Sequence, residues 1–336
     1  MAWRKKLALT LVFLAGLLFL FTQIDLQKIR DIVSQVRMEM IFGIIACMIV
    51  AFLLWNLRWQ FALHKLTKFQ FWRLLPILMA GMFFNMVTPT AGLGGEPVRV
   101  YYISKLSKAR RTSMFVLTAL EKFFGTIIMV VMLVFSVLFA AFFIPGERVV
   151  KGILIALFLI LVLLIIVLGK LLKKIKIKES KYLHYLLKLA FRIRMFAKKF
   201  SSYKEFEKYV EDRLLWAKIL TVQVLKKRVF VLANLLLTLA ITLVNYLAFY
   251  LSLIAFNAEL PFVYVMVVFT IASVIADITF IPGGVGLTEA IAIGMYNAFG
   301  VSLEIAALAT LLYRTVYYFF TIGIGYCCLI YLHMKE

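Results

Sequence analysis

Residues Thr88–Arg99 read TPTAGLGGEPVR, and this stretch stands inside a long hydrophobic part of the chain. It combines three glycines, two prolines, a glutamate and an arginine. Helix breakers and charges are costly at membrane depth, because no water is present there to satisfy the freed backbone groups. A second stretch of the same character, IPGGVGLTEA, occupies Ile281–Ala290. The two stretches predict two interrupted helices, one in each half of the chain.

The spacing of charges after each stretch indicates a weak internal repeat. In both, a proline is followed by a glutamate seven residues later, and by a charged residue in the middle of a long apolar segment 32 residues later. The matching residues are Pro89, Glu96 and Glu121 in the first stretch, and Pro282, Glu289 and Arg314 in the second.

The composition places the chain among polytopic α-helical membrane proteins. Hydrophobic residues make up 64% of its 336 residues, against about 45–50% in soluble domains. Alternating strand patterns are absent, which excludes an outer-membrane barrel. The net charge of +22 favours anionic lipid headgroups over nucleic acid as partners, because the cations cluster in loops and at helix ends.

Neither a metal site nor a cofactor is expected. The three cysteines lie in apolar segments, and the three histidines are scattered without metal-ligand spacing. The sequence contains no Walker motif, no G-x-S-x-G and no H-E-x-x-H. We therefore expect neither an enzyme nor transport that this chain itself powers with ATP.

Hydropathy predicts six full spans and two short, interrupted pairs of helices. The spans are Leu7–Thr22 (a retained anchor), Met40–Leu57, Ser113–Phe143, Val149–Gly169, Val229–Phe256 and Ser302–Leu332. Leu74–Ser104 is then a re-entrant hairpin entered from the cytoplasm, and the pair that flanks the second glycine motif is one entered from outside. The result is an inverted repeat in the plasma membrane, with both termini cytoplasmic. Full spanning by both short pairs is the alternative.

The chain is interpreted as one integral membrane domain, 1–336. Its first half, 1–169, holds the broken helix at 85–99, and its second half, 229–336, holds the broken helix at 277–290. Between them, 170–228 carries 18 Lys and Arg against five Asp and Glu. Aromatic and aliphatic residues recur there at near-helical spacing, which indicates an amphipathic helix on the inner leaflet. A solvated linker is the alternative.

Two groups of residues are candidates for binding a ligand. Backbone amides at the glycines can bind an anion where a helix starts at mid-membrane, or the glycines can simply permit close helix packing. These glycines are Gly94, Gly95, Gly283, Gly284 and Gly286. The deep ionisable residues form the second group, because an intramembrane charge is a functional hypothesis by default. They are Glu96, Arg99, Glu121, Asp277, Glu289 and Arg314.

The equal offsets of Glu121 and Arg314 lead to the hypothesis that these two residues form an ion pair across a central cavity. Lys122 is expected to extend toward the membrane surface. Asn85 and Asn245 are expected to join helices rather than to bind a ligand. Arg58 is assigned to a basic cytoplasmic loop after the second span.

The motifs NMVTPTAGLGGEPVR (Asn85–Arg99) and FIPGGVGLTEA (Phe280–Ala290), with Glu121 and Arg314 after them, resemble the lysylphosphatidylglycerol synthase transmembrane-region family. The resemblance covers nearly the whole chain. The chain is also similar to the flippase half of the bacterial multiple peptide resistance factor. It implies a membrane module that moves headgroup-modified phospholipids between leaflets. Related modules occur beside glycosyltransferases that act on polyprenyl phosphates. No aminoacyltransferase domain follows residue 336, so synthesis of lysyl-lipid is not expected.

Three functions remain open at this point. The leading hypothesis is a flippase-like transporter for a phospholipid or polyprenyl-phosphate lipid, with phosphate bound by Arg99, Arg314 and the glycine amides. In this hypothesis the acidic residues meet a cationic headgroup or carry protons; they are Glu96, Glu121, Asp277 and Glu289. The second is a non-transporting membrane partner of a lipid-modifying enzyme. The third is a membrane-embedded lipid transferase that uses Glu or Asp as a base.

Overall fold

The computed structural model describes residues 36–64, 69–90, 92–107, 110–143, 188, 200, 202–279 and 281–335. Several sequence predictions lie outside these residues. They are the anchor Leu7–Thr22, the span Val149–Gly169, and nearly all of the basic segment that precedes residue 200.

The described residues form ten α-helices and no strand. The helices are α1 (Met38–Leu63), α2 (Phe71–Val87), α3 (Gly95–Ser107), α4 (Arg111–Phe143), α5 (Tyr203–Leu225), α6 (Arg228–Ile254), α7 (Phe262–Ile278), α8 (Leu287–Ala298), α9 (Leu303–Tyr318) and α10 (Gly325–Met334). A π-helical segment, Phe319–Ile324, joins α9 to α10 without a break.

Four helices are long and apolar enough to cross a membrane: α1, α4, α6 and the continuous α9–α10. The four predicted spans that fall within the described residues coincide with them. Helix α1 continues beyond the predicted span end at Leu57 to Leu63, so Arg58, which was assigned to the following loop, is a buried residue of the helix. The helix can continue because neighbouring helices satisfy that charge.

Residues 36–143 and 228–335, here called the first half and the second half, contain the same succession of elements. Each half has a long helix, a short helix, a glycine-rich break, a second short helix and another long helix. In the first half these are α1, α2, α3 and α4; in the second they are α6, α7, α8 and α9–α10.

Helices α2 and α3 pack side by side as the first hairpin. The chain turns between them at Gly92, whose φ of 68° is readily adopted only by glycine. The two helices approach most closely at Gly81 and Gly95, where a Cβ on Gly95 would overlap the carbonyl oxygen of Gly81. Close packing, one of the two interpretations of the glycines, therefore accounts for Gly95.

Helices α7 and α8 form the second hairpin, with a short 3-10 turn at Pro282–Gly284. Gly283, Gly284 and Gly286 have φ values of 58°, 62° and 82°. Side chains other than hydrogen are strained in this region of backbone conformation. The second break therefore depends on three glycines, because each has a positive φ that other residues rarely adopt.

The two halves pack on each other, and a long helix of each half contacts a short helix of the other. Helix α1 contacts α6 more extensively than any other pair of described helices. The last long helix of each half packs on the first short helix of the other half, so that α4 contacts α7, while α10 contacts α2. The rings of Phe139 and Tyr264 meet in the first contact, and those of Phe83 and Tyr326 meet in the second.

Helix α5 covers the basic segment from residue 203 and is docked on the bundle. Phe206, Leu220 and Val224 are buried, and Trp216 donates a hydrogen bond from its indole nitrogen to the Ser113 hydroxyl at the start of α4 (3.0 Å). The opposite side of its C-terminal half exposes apolar side chains, namely Leu215, Ile219 and Val222. This part of the segment is helical. The amphipathic character of the basic segment and its position on the inner leaflet stay predictions.

Candidate functional site

The first half contains a buried network of two arginines and two glutamates, here called the first-half network. Glu121 of α4 accepts hydrogen bonds from Arg58 of α1 (2.7 Å) and from Arg99 of α3 (2.5 Å). Arg99 also pairs with Glu96 (3.2 Å). The side chains of Arg58, Arg99 and Glu121 are 6%, 3% and 1% exposed.

Aromatic and polar neighbours complete the first-half network. The indole nitrogen of Trp55 donates to Glu121 (2.6 Å), and the guanidinium of Arg99 stacks on Trp59 at 4.2 Å from the ring centroid. Arg58 donates to the Thr238 hydroxyl of α6 (2.7 Å), which links the two halves. Two positive and two negative charges neutralise each other, which lowers the cost of burying them. The network is therefore built to fix the first hairpin against α1 and α4.

The second half contains a smaller network, here called the second-half network. Arg314 of α9 donates to the Glu289 carboxylate of α8 (2.6 Å), to the Gly283 carbonyl (2.8 Å) and to the Tyr318 hydroxyl (2.5 Å). The Tyr318 hydroxyl donates in turn to Glu289 (2.9 Å). The second hairpin is thus tied to α9 much as the first hairpin is tied to α4.

The hypothesis that Glu121 pairs with Arg314 is wrong. Each residue occupies the equivalent position of its half, as the offsets indicated, but each pairs with the short helix that follows the break in its own half. For Glu121 that partner is Arg99, and for Arg314 it is Glu289. The sign of the pair is reversed between the halves. The physical reason is proximity, because the hairpin folds directly against the long helix that follows it.

Arg58 is a member of the first-half network that the sequence analysis placed in a loop. A cation near the end of an apolar run is ordinarily a sign of the membrane surface. A signal was nevertheless present, because Trp55, Arg58 and Trp59 recur at helical spacing and so share one face of α1.

Most of the glycine amides predicted to be available for an anion already donate within the chain. The Gly95 amide donates to the side-chain oxygen of Asn85 (2.6 Å), and the Gly286 amide donates to Glu289 (2.6 Å). The Gly284 amide donates to the carbonyl of Ile281 (3.0 Å). Glycine therefore serves the turns and the close contacts, and side chains hold the ends of the short helices. Pro89 and Pro282 lie exposed at the two bends.

A cavity of about 270 Å³ lies between the two halves, where the two breaks meet. We call it the central cavity. Its walls come from both halves and include Trp55, Asn85, Gly92 and Lys122 of the first, and Asn245, Phe269, Ser273, Asp277, Thr310 and Arg314 of the second.

Lys122 and Asp277 place opposite charges in the wall of the central cavity. The expectation that Lys122 extends toward the membrane surface is wrong, because its ammonium donates to the Gly92 carbonyl at the first break (3.1 Å). Asp277 lies at the end of α7, and among the described residues its carboxylate has no ion pair. Asn85 and Asn245 join helices as expected, by accepting hydrogen bonds from the Gly95 amide and the Tyr313 hydroxyl, and they also line the cavity.

The structure therefore divides the six predicted ionisable residues into three groups. Asp277 and Arg314 lie at the central cavity, whereas Glu96, Arg99 and Glu121 are held together in the first-half network. Glu289 is not in the cavity wall, but it forms an ion pair with Arg314, which is. Within the described residues, no three His, Cys, Asp or Glu side chains are grouped so as to hold a metal ion.

This arrangement defines an α-helical membrane protein with a polar cavity between two interrupted hairpins. The family model of the lysylphosphatidylglycerol synthase TM region matches residues 6–325. The chain therefore belongs to that family, as the resemblance of its motifs indicated.

Archaeal membrane proteins are similar to this chain over most of their length. A UPF0104 membrane protein of Pyrococcus horikoshii is 24% identical over 319 residues, which cover 93% of this chain and 92% of the relative. One of Methanocaldococcus jannaschii is 24% identical over 97% and 94% of the two chains. One of Methanothermobacter thermautotrophicus is 25% identical over 77% and 75%. No solved structure gives a significant match.

Proposed function

We propose that this chain is a flippase-like module that binds an anionic or headgroup-modified lipid and moves its headgroup between leaflets. A phospholipid and a polyprenyl-phosphate lipid both fit this description. The observation that carries the proposal is the central cavity, which lies where two interrupted helices of the two halves meet. Broken helices at corresponding places in two halves mark the binding site in many membrane transporters.

The chemistry of the cavity supports a lipid phosphate as the group that is bound. The Lys122 ammonium lines one part of the wall, and Arg314 lines another. One terminal nitrogen of Arg314, Nη1, makes no hydrogen bond to the described residues, so it is available to a ligand. At about 270 Å³ the cavity is slightly smaller than the roughly 300–1,000 Å³ of small-molecule sites. It suits a headgroup whose acyl chains remain in the surrounding lipid.

The packing of the halves supports an inverted repeat. Helices α2, α3 and α4 follow one another through short connections and pack side by side, so we take them to alternate in direction. Helix α4 therefore runs parallel to α2. It runs antiparallel to α7, because Phe139 meets Tyr264 at one end, while Lys122 and Asp277 lie near Gly92 at the other. On this basis α7 opposes α2, which supports opposed halves. The plasma membrane as the location, with both termini cytoplasmic, is proposed from the distribution of Lys and Arg along the sequence.

The alternative function is a non-transporting membrane partner of a lipid-modifying enzyme, such as a glycosyltransferase. The neutral, buried first-half network favours it, because three of the predicted site residues serve as internal bracing there.

Reconstitution of the protein into liposomes separates the candidates. Each vesicle preparation contains one headgroup-labelled lipid, and a membrane-impermeant quencher reports the fraction of label in the outer leaflet over time. A flippase-like module exposes label faster than protein-free vesicles do, and Arg314→Gln slows this exposure. A rate equal to that of empty vesicles for every phospholipid and polyprenyl phosphate overturns the proposal. Mass spectrometry of the same lipids detects a transferase, which leaves a chemically changed product.

A further inference from the structure

We infer that the π-helical segment Phe319–Ile324 is a hinge, at which α9 and α10 change their angle and thereby change the width of the central cavity. The inference goes beyond the proposed function, because it concerns a movement of the helices and holds for any ligand. It is carried by the position of the segment, which lies between two parts of one helix that are tied to opposite walls of the cavity.

The π-helical segment is an irregularity that only one of the two halves contains. A π-helix interrupts the regular hydrogen bonds of an α-helix, and such segments occur at bends and at functional sites. Phe319–Ile324 begins five residues after Arg314. The corresponding residues after Glu121, 126–131, are regular α-helix within α4. The two long helices therefore differ at this point, although their halves otherwise contain the same elements.

Helix α9, which precedes the segment, is tied to the second hairpin. Arg314 pairs with Glu289 of α8 (2.6 Å). Tyr318, directly before the segment, donates a hydrogen bond to the same carboxylate (2.9 Å). Arg314 and Tyr317 line the central cavity. Helix α9 and the second hairpin therefore form one wall of the cavity together.

Helix α10, which follows the segment, is tied to α2 of the first hairpin. A Cβ on Gly325 would lie only 2.8 Å from the carbonyl oxygen of Met79, so the two backbones are in close contact there. Farther along α10, Leu332 belongs to the same buried cluster as Leu74 of α2. Helix α2 supplies Asn85 to the opposite wall of the cavity. A change of angle between α9 and α10 therefore moves the two walls relative to each other.

The packing around the segment suits a pivot. Phe320 is buried and stacks on Phe52 of α1, with 5.7 Å between the ring centroids, so one side of the segment is held in place. Phe319 and Ile322 are 63% and 39% exposed. Helix α10 has ten residues and is about 15 Å long. A change of about 20° at the segment, the size of a distinct kink, would therefore move the far end of α10 by about 5 Å.

Pulsed electron paramagnetic resonance in lipid nanodiscs tests the hinge. The three native cysteines are replaced by alanine, and spin labels are attached to new cysteines at exposed positions. One pair joins Tyr331 of α10 to Phe115 of α4, and a second pair joins Leu311 of α9 to Phe135 of α4. The pair Phe115 and Phe135, both on the regular helix α4, gives the width that the labels alone produce. We expect at least one of the first two distance distributions to be broader than this control by about 5 Å.

Two variants make the segment a regular helix. Gly323→Ala introduces a Cβ that would lie 3.7 Å from the Phe319 ring, an ordinary contact. Alanine should shift the population toward the regular helix by about two- to fivefold. Deletion of Ile322 removes the additional residue of the π-turn. Both variants should narrow the broad distribution. Gly294→Ala on α8, whose Cβ would meet nothing within 4 Å, should leave it unchanged.

The outcomes separate the hinge from the proposed function. Size-exclusion profiles and thermal unfolding establish that each variant is folded, and Gly323→Ala carries the test if the deletion variant does not fold. Two distributions as narrow as the α4 control, or an unchanged width in Gly323→Ala, overturn the hinge. Equal narrowing in Gly294→Ala overturns it as well. A confirmed hinge without translocation in liposomes overturns only the transport role, whereas translocation without a hinge retains the proposed function.

Discussion

Arg314→Met should destabilise the protein through Glu289, and not through Glu121. The change leaves Glu289 with its hydrogen bonds from the Gly286 amide and the Tyr318 hydroxyl, but without its cation. Breaking one partner of a buried ion pair costs about 3–5 kcal/mol. The side chains of Arg314 and Glu289 are 9% and 8% exposed, so we expect a loss near 3 kcal/mol, at the lower end of that range.

A pair of double-mutant cycles measures the coupling directly. The free energy of unfolding is determined in bicelles for Arg314→Met and Glu289→Gln, singly and together. We expect the double variant to lose less than the sum of the single losses, with a coupling of about 1.5 kcal/mol or more, because the interacting groups touch. A cycle of Arg314→Met with Glu121→Gln should be additive within about 0.5 kcal/mol. Strong coupling in the second cycle and none in the first would refute the assignment of partners.

Two further substitutions test the packing of the first half. Gly95→Ala should prevent the close approach of α2 and α3, and should lower the yield of folded protein, because its Cβ would overlap the Gly81 carbonyl. The control is Gly125→Ala, whose Cβ would lie in open space, and it should leave the yield unchanged. The yields are measured by size-exclusion chromatography. Equal yields for the two variants would contradict the close contact. Glu121→Gln should cost about 3–5 kcal/mol of unfolding free energy, because it removes the anion shared by two buried arginines. The control is Glu39→Gln, which breaks an ion pair whose glutamate is 61% exposed and should cost less than about 1 kcal/mol of unfolding free energy. Both variants are measured by chemical unfolding. Comparable losses of free energy in the two would argue against the first-half network.

The positions of the helix breaks could be predicted because their cause is local. Pro89, the glycines of the first break and Gly283–Gly286 change the backbone wherever they stand, whatever packs around them. The match in offset between Glu121 and Arg314 could also be predicted, because the two halves place these residues at equivalent points.

The partners of the charges could not be predicted, because hydropathy gives depth along a helix and not the neighbours of that helix. Lys122 and Arg58 show the consequence. Both were expected at the membrane surface, where a lone cation is least costly, but a carbonyl at the first break satisfies Lys122 and a glutamate on α4 satisfies Arg58. The Gly95 and Gly286 amides were unavailable to an anion for a similar reason. Asn85 and Glu289 were available to cap them, and only the folded hairpins bring these side chains to the helix ends.

Site-directed blocking of the central cavity tests the proposed passage of the headgroup most directly. The three native cysteines, Cys47, Cys327 and Cys328, are first replaced by alanine. Ser273→Cys then places one thiol in the cavity wall, and Lys218→Cys places one on the exposed surface of α5. Each protein is reacted with a bulky maleimide and assayed for lipid translocation in liposomes. The account predicts that the maleimide stops translocation in the Ser273→Cys protein and leaves the Lys218→Cys protein active. An unchanged rate after complete modification at residue 273 would contradict it.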